Sequence, residues 1–207
     1  MAIDFTSRAR RYFQSTEQAL RGLPEPILEE VFRILRDAYH EDRQVLVMGN
    51  GGSAALASHF AVDLGKGSAH PDRRRFRVVS LVDNTPVMTA YANDLSYADV
   101  FSEQIRTLAR PRDVVFGISG SGNSPNVLNG LKAARESGAV TVVFTGYEGG
   151  KAAGLADVAL VVPSHDMQHI EDCHLALMHL YMQAMCETVR ESPALSRETG
   201  RGVRPAG

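Results

Sequence analysis

The sequence predicts an α/β fold: a three-layer αβα sandwich around a parallel, doubly wound, flavodoxin-like sheet of about five strands, preceded by a helical hairpin. Three observations lead there. From Gln44 onward, apolar runs of strand length alternate with stretches of helical spacing, which is the grammar of βαβ units. The strand runs are continuous in Val, Leu, Ile and Phe, as expected for strands covered on both faces. Two of them break into loops of glycine, asparagine and serine, Gly49-Asn-Gly-Gly-Ser53 and Ser119-Gly-Ser-Gly-Asn-Ser124, and each loop opens a new helical pattern.

The elements follow in order. Residues 4–21 and 25–41 carry apolar positions at helical spacing, with Gly22 and Pro24 punctuating between them. This hairpin needs a partner surface, on its own domain or on another subunit. Strands are expected at 44–48, 76–82, 113–118, 140–145 and 157–162. Helices are expected at 53–65, 84–93, 97–109, 124–137, 149–155 and 167–190. Residues 1–190 thus read as one domain. The segment 191–207, rich in Ser, Pro, Arg and Gly, reads as a disordered tail.

Bulk properties narrow the function. The 207 residues suffice for a full core, and a net charge of −2 offers no global attraction for nucleic acid or an anionic membrane. Arg73-Arg74-Arg75 is a local basic run that reads as a surface loop. The N-terminal residues read as carrying no secretory leader, and no apolar run of membrane-spanning length occurs in the sequence, so no membrane is expected. Cys173 and Cys186 fall in one predicted helix, about 20 Å apart along it, too far to bridge. They read as reduced thiols of a cytoplasmic protein.

In sheets of this type ligands bind at the carboxyl ends of the strands, where the strand order reverses. Both glycine loops lie at strand ends. Glycines let the backbone turn tightly and approach a ligand, and the following helix N-terminus favours an anion. Ser53, Ser119, Ser121 and Ser124 add hydroxyl donors, although Ser53 and Ser124 could instead be helix caps. The lysine of a Walker loop and the third glycine of a dinucleotide fingerprint are missing. Nucleotide binding is thereby disfavoured, and the simplest anionic ligand is a phosphorylated small molecule.

A second constellation lies on two predicted helices. His59 and Asp63 stand at i, i+4 on one helical face, and Glu171 and His179 at i, i+8 on another. Together they suit a divalent transition metal such as zinc, or an acid/base pair without metal. His165, His169 and His174 cluster beside them with no assigned role.

These residues resemble a known family. Gly49-Asn-Gly-Gly-Ser53 with His59, then Ala92-Asn-Asp94, Ile118-Ser-Gly-Ser-Gly-Asn-Ser124, Thr145-Gly-Tyr-Glu-Gly-Gly150 and Glu171 with His179 are similar to the sugar isomerase (SIS) domain, in particular to its phosphoheptose isomerases. The resemblance implies a homotetramer with active sites at subunit interfaces, converting sedoheptulose 7-phosphate to D-glycero-D-manno-heptose 7-phosphate. It implies that Asn50, Gly51, Gly52 and Ser53 line the substrate site and that Asn93 and Asp94 contact the sugar. Ser119, Gly120, Ser121 and Ser124 would hold the phosphate. His59, Asp63, Glu171 and His179 match the zinc positions, Glu171 also touching substrate, and the catalytic groups would be Asp63, Glu171 and His179. Three positions depart from the family pattern: Asp63 stands for a glutamate, Glu171 for a glutamine and Gly120 for a threonine. These departures keep open an isomerase of another ketose phosphate. Non-catalytic relatives, such as a replication-initiation regulator, tend to lack the acid/base residues that this chain keeps.

Overall fold

In the computed structural model, which describes residues 3–194, five parallel strands form one sheet in the order β2-β1-β3-β4-β5. The strands are β1 (Val45–Gly49), β2 (Val78–Ser80), β3 (Val114–Ile118), β4 (Val140–Thr145) and β5 (Val158–Val161). Strand order reverses between β1 and β3, which pair directly from Val45 opposite Val114 to Gly49 opposite Ile118. The two glycine loops therefore emerge side by side at the switch point, as expected for a doubly wound sheet.

Side-chain alternation explains why the strands are apolar throughout. Val45, Val47, Phe116, Val142 and Phe144 face one layer. That layer holds α1 (Phe5–Arg21), α2 (Glu25–His40), α3 (Gly52–Val62) and α8 (Met167–Glu191). Leu46, Met48, Val115 and Val143 face the other, which holds α4 (Thr85–Asp94), α5 (Ser102–Leu108), α6 (Pro125–Glu136) and the short α7 (Gly150–Ala153). The fold class, the five strands and the eight helices match the expectation, with two adjustments. The expected strand 76–82 contracts to β2 at the sheet edge. The expected helix 97–109 divides into a 3₁₀ turn, Tyr97–Asp99, and α5, because the Ser96 hydroxyl accepts the Ala98 N–H and caps the turn. The expectation of a disordered tail falls, from residue 195 on, outside the described residues.

The N-terminal hairpin packs on its own domain: the Tyr12 hydroxyl donates to Asp172 at 2.6 Å and that of Tyr181 to the Leu28 carbonyl at 3.1 Å. Phe5 and Phe13 of α1 remain about 70 % exposed all the same. The basic run has a structural task. Arg74 donates to the carbonyls of Tyr39 (2.6 Å) and His40 (2.7 Å), and Arg73 to that of Arg190 (3.2 Å), satisfying the orphan C-terminal carbonyls of α2 and α8. Both cysteines are free thiols, and burial pushes the Cys173 thiol up to about 11. No helix among the described residues is long and apolar enough to cross a membrane.

His174 is a core residue. It is fully buried on α8, its Nε2 lies 3.1 Å from the Thr145 carbonyl, and burial pushes its pKa down to about 4. The unfolded chain binds this proton near pH 6.5 and the folded chain only near pH 4. The neutral ring therefore supports the fold above pH 6.5, and that support is lost as the pH falls from 6.5 toward 4. Urea unfolding at pH 7 and pH 4 is expected to show wild type losing about 3 kcal/mol more than His174→Gln. Parallel losses would contradict this assignment.

Candidate active site

The site is built from the two glycine loops upward. The first turns on Gly51 (φ +54°), which caps α3 without any side-chain hydrogen bond, and the second precedes α6, whose N-cap Ser124 makes no side-chain capping bond either. The capping alternative for Ser53 and Ser124 therefore does not hold. Ser119 Oγ lies 3.3 Å from Ser124 Oγ, and Ser121 Oγ accepts the Asn123 N–H. The backbone N–H groups of Gly120, Ser121 and Ser124 have no acceptor among the described residues. Between the loops lies a cleft of about 280 Å³ lined by Asn50, Gly51, Gly52, Ser53, Ser119, Gly120, Ser121 and Ser124, with Ile118 on its floor and Met167 and Glu171 on its α8 side. Two larger depressions, between α1 and the start of α8, contain none of the loop residues.

Eight expected site residues thus meet in one cleft, and Glu171 joins them. Its carboxylate lies over Gly52, where a Cβ would stand 2.5 Å from Oε1, so a side chain at 52 would push the carboxylate aside. The Gly120 departure has a similar explanation: the Met167 side chain fills the place a side chain at 120 would take. Asn93 and Asp94 stand apart, bonded to each other at 2.8 Å on the exposed end of α4 and absent from the cleft lining.

Farther along α3 and α8 a second group forms. His59 Nε2 and His179 Nε2 lie 3.0 Å apart, and Asp63 Oδ2 is 3.4 Å from the first and 3.9 Å from the second. Directly after α3 a π-helical turn, Asp63–Gly67, is closed by the Ser68 N–H on the Asp63 carbonyl. Such turns recur at functional sites. Lys66 is exposed to solvent. Asp63 Oδ2 is buried without a hydrogen-bond partner. Two imidazole nitrogens at contact distance beside an unpaired buried carboxylate oxygen fit a divalent cation, and His59, Asp63 and His179 could hold one. Glu171 lies outside this group. Eight residues of α8, about 12 Å of rise, separate it from His179, and its carboxylate turns toward Gly52 instead.

The two clusters form two rungs across the parallel helices α3 and α8. Gly52 faces Glu171 on the first rung and His59 faces His179 on the second, about 10–12 Å on. Two residues absent from the expected set also reach the site: Asn126 and Tyr97 both hydrogen-bond Asn50. Asn126, a polar residue opening the apolar run Val127-Leu128, is the one local signal that could have drawn attention to it.

Comparison with known proteins agrees with this architecture. The SIS domain profile matches residues 10–146. The phosphoheptose isomerase of Aquifex aeolicus is 41% identical over 162 residues, covering 78% of this chain and 82% of the relative. That of Pelobacter propionicus is 38% identical over 192 residues, 93% of this chain and 98% of the relative. The solved structure of phosphoheptose isomerase GmhA from Neisseria gonorrhoeae superposes with a TM-score of 0.81 at 32% identity, covering 88% of this chain and 99% of that one. With both glycine loops at the switch point and this degree of similarity across nearly the whole domain, the chain belongs to the SIS domain family and, within it, to the phosphoheptose isomerases.

Proposed function

We propose that the protein is an aldose–ketose isomerase interconverting sedoheptulose 7-phosphate and D-glycero-D-manno-heptose 7-phosphate. The observation that carries this reading is the two-rung arrangement. Loop hydroxyls, free N–H groups and helix N-termini on the first rung suit a phosphate. The second rung, about 10–12 Å on, offers a carboxylate beside two imidazoles. Six C–C bonds of about 1.5 Å each, laid out as a zigzag, carry a seven-carbon sugar most of that distance, whereas a five-carbon chain stops short.

In this reading Ser53, Ser119, Ser121 and Ser124 hold the phosphate, and Glu171 accepts hydrogen bonds from sugar hydroxyls. C1 and C2 reach the second rung. There Asp63 moves the proton between C1 and C2 through a cis-enediol, and His179 protonates and deprotonates the oxygens. Glu171 is the second candidate for the base, because its carboxylate lines the substrate cleft directly. A divalent ion at His59, Asp63 and His179, zinc by donor type, would take over from the His179 proton and polarise the carbonyl and hydroxyl oxygens when bound.

The second rung is open on one side, with His59 and His179 nearly half exposed and the apolar Val62 and Leu180 beside them. Exposed apolar residues next to a site, together with Phe5 and Phe13, support a homo-oligomer, a tetramer in keeping with the family, in which a second copy closes the site. Two free thiols accord with the cytoplasm.

A substrate panel tests the reading. Sedoheptulose 7-phosphate is expected to equilibrate with its aldose, fructose 6-phosphate and ribulose 5-phosphate to react far more slowly, and unphosphorylated sedoheptulose not at all. Equal or faster turnover of the shorter ketose phosphates would reject the heptose assignment.

A further inference from the structure

We infer that Asn126 and Tyr97 are positioning residues that fix which way the Asn50 carboxamide faces, so that the first glycine loop offers the sugar an N–H donor rather than a carbonyl oxygen. This rests on the isomerase reading above. Asn126, almost fully buried at the start of α6, accepts the Val127 N–H on its Oδ1 at 3.0 Å. A backbone N–H can only donate, so that atom is the oxygen and the other is the amide nitrogen. Asn126 Nδ2 then donates to Asn50 Oδ1 at 2.8 Å, and Asn50 Nδ2 donates back to Asn126 Oδ1 at 2.8 Å. The Tyr97 hydroxyl donates to the same Asn50 Oδ1 at 2.9 Å.

Asn50 Oδ1 has two lone pairs and both are taken. One N–H of Asn50 remains, and Asn50 lines the substrate cleft. The pair joins the loop after β1 to the helix after β3, across the switch point of the sheet. Tyr97 ties in the segment that follows Asn93 and Asp94, and Asn129 of α6 anchors that segment by donating to the Ala98 carbonyl at 3.1 Å. A ligand oxygen, including that of a hydroxyl, can therefore accept a hydrogen bond from the Asn50 side chain, while a ligand O–H finds no free acceptor on that side chain.

Kinetics with sedoheptulose 7-phosphate on wild type, Asn126→Ala and Tyr97→Phe test this, beside calorimetric binding of inorganic phosphate and thermal unfolding. With Asn126→Ala the carboxamide is free to turn. KM is expected to rise about tenfold, the scale of one well-placed hydrogen bond. Phosphate affinity is expected to stay at the wild-type value, because the phosphate donors lie on other groups. Tyr97→Phe, at an exposed position that does not endanger folding, is expected to raise KM about threefold. Unchanged KM in both variants overturns the proposal. So does a loss shared equally by phosphate affinity, kcat and melting temperature, which marks a merely structural role. If wild type turns over no ketose phosphate, the isomerase reading fails separately. Calorimetric binding of sedoheptulose 7-phosphate then decides this proposal by the same comparison.

Discussion

Replacing His179 with alanine is expected to lower kcat/KM for sedoheptulose 7-phosphate by about 10³-fold, the usual range for losing an acid/base group. His179 is nearly half exposed and makes its close contacts with His59 and Asp63, not with the core. The melting temperature should therefore stay near that of wild type while activity collapses. The same substitution removes one of the three converging donors, so the metal content of the purified protein should fall together with activity. His59→Ala should behave alike on both measures. Near-wild-type turnover in His179→Ala, measured by formation of the aldose phosphate, would remove the second rung from the mechanism.

The second large effect concerns the second glycine loop, the one proposed to hold the phosphate. Gly122 sits at φ +64°, and a Cβ there would run into the Gly149 carbonyl. Around it the loop is knitted to the next one: the Gly122 N–H donates to the Ser119 carbonyl at 2.9 Å, the Ala152 N–H to the Gly122 carbonyl at 2.9 Å and the Gly146 N–H to the Gly120 carbonyl at 2.8 Å. Gly122→Ala combines left-handed strain with a backbone collision. It should cost about 3 kcal/mol or more, a drop of roughly 10 °C in Tm for a domain of this size. Gly51→Ala provides the comparison. Its φ of +54° is similar, with ψ at −122°, but the space around its Cβ is open, so only the backbone strain of about 1–3 kcal/mol applies, without a collision. Equal Tm values for the two variants, read by calorimetry, would show that the Gly122 collision is relieved at no cost.

Most of the fold was legible because strand and loop signals are local. Continuous apolar runs announced β1, β3, β4 and β5 nearly to the residue, and the glycines after β1 and β3 marked the ligand end of the sheet. The pair His59 and Asp63 was equally legible, since i, i+4 spacing already places both on one face. Spacing says less about where a long side chain turns. Glu171 and His179 share a face at i, i+8, yet the first bends toward Gly52 and the second toward His59. The occupation of the Gly120 site by Met167 depends on contact between residues 47 positions apart, and the Asn50–Asn126 pair spans 76. Neither is written in any local pattern. The π turn at Asp63–Gly67 was invisible for a different reason: a single extra residue in a helical turn leaves the apolar periodicity nearly unchanged.

In the proposed reaction a carboxylate of this site moves a carbon-bound proton between C1 and C2 of a ketose phosphate. Incubation of sedoheptulose 7-phosphate with the protein in D₂O, followed by proton NMR of the aldose, reads that step directly. Deuterium is expected at C2 of the product with wild type, and loss of that incorporation with Asp63→Asn. An aldose carrying only protium at C2 after full equilibration, or no aldose at all, would contradict it.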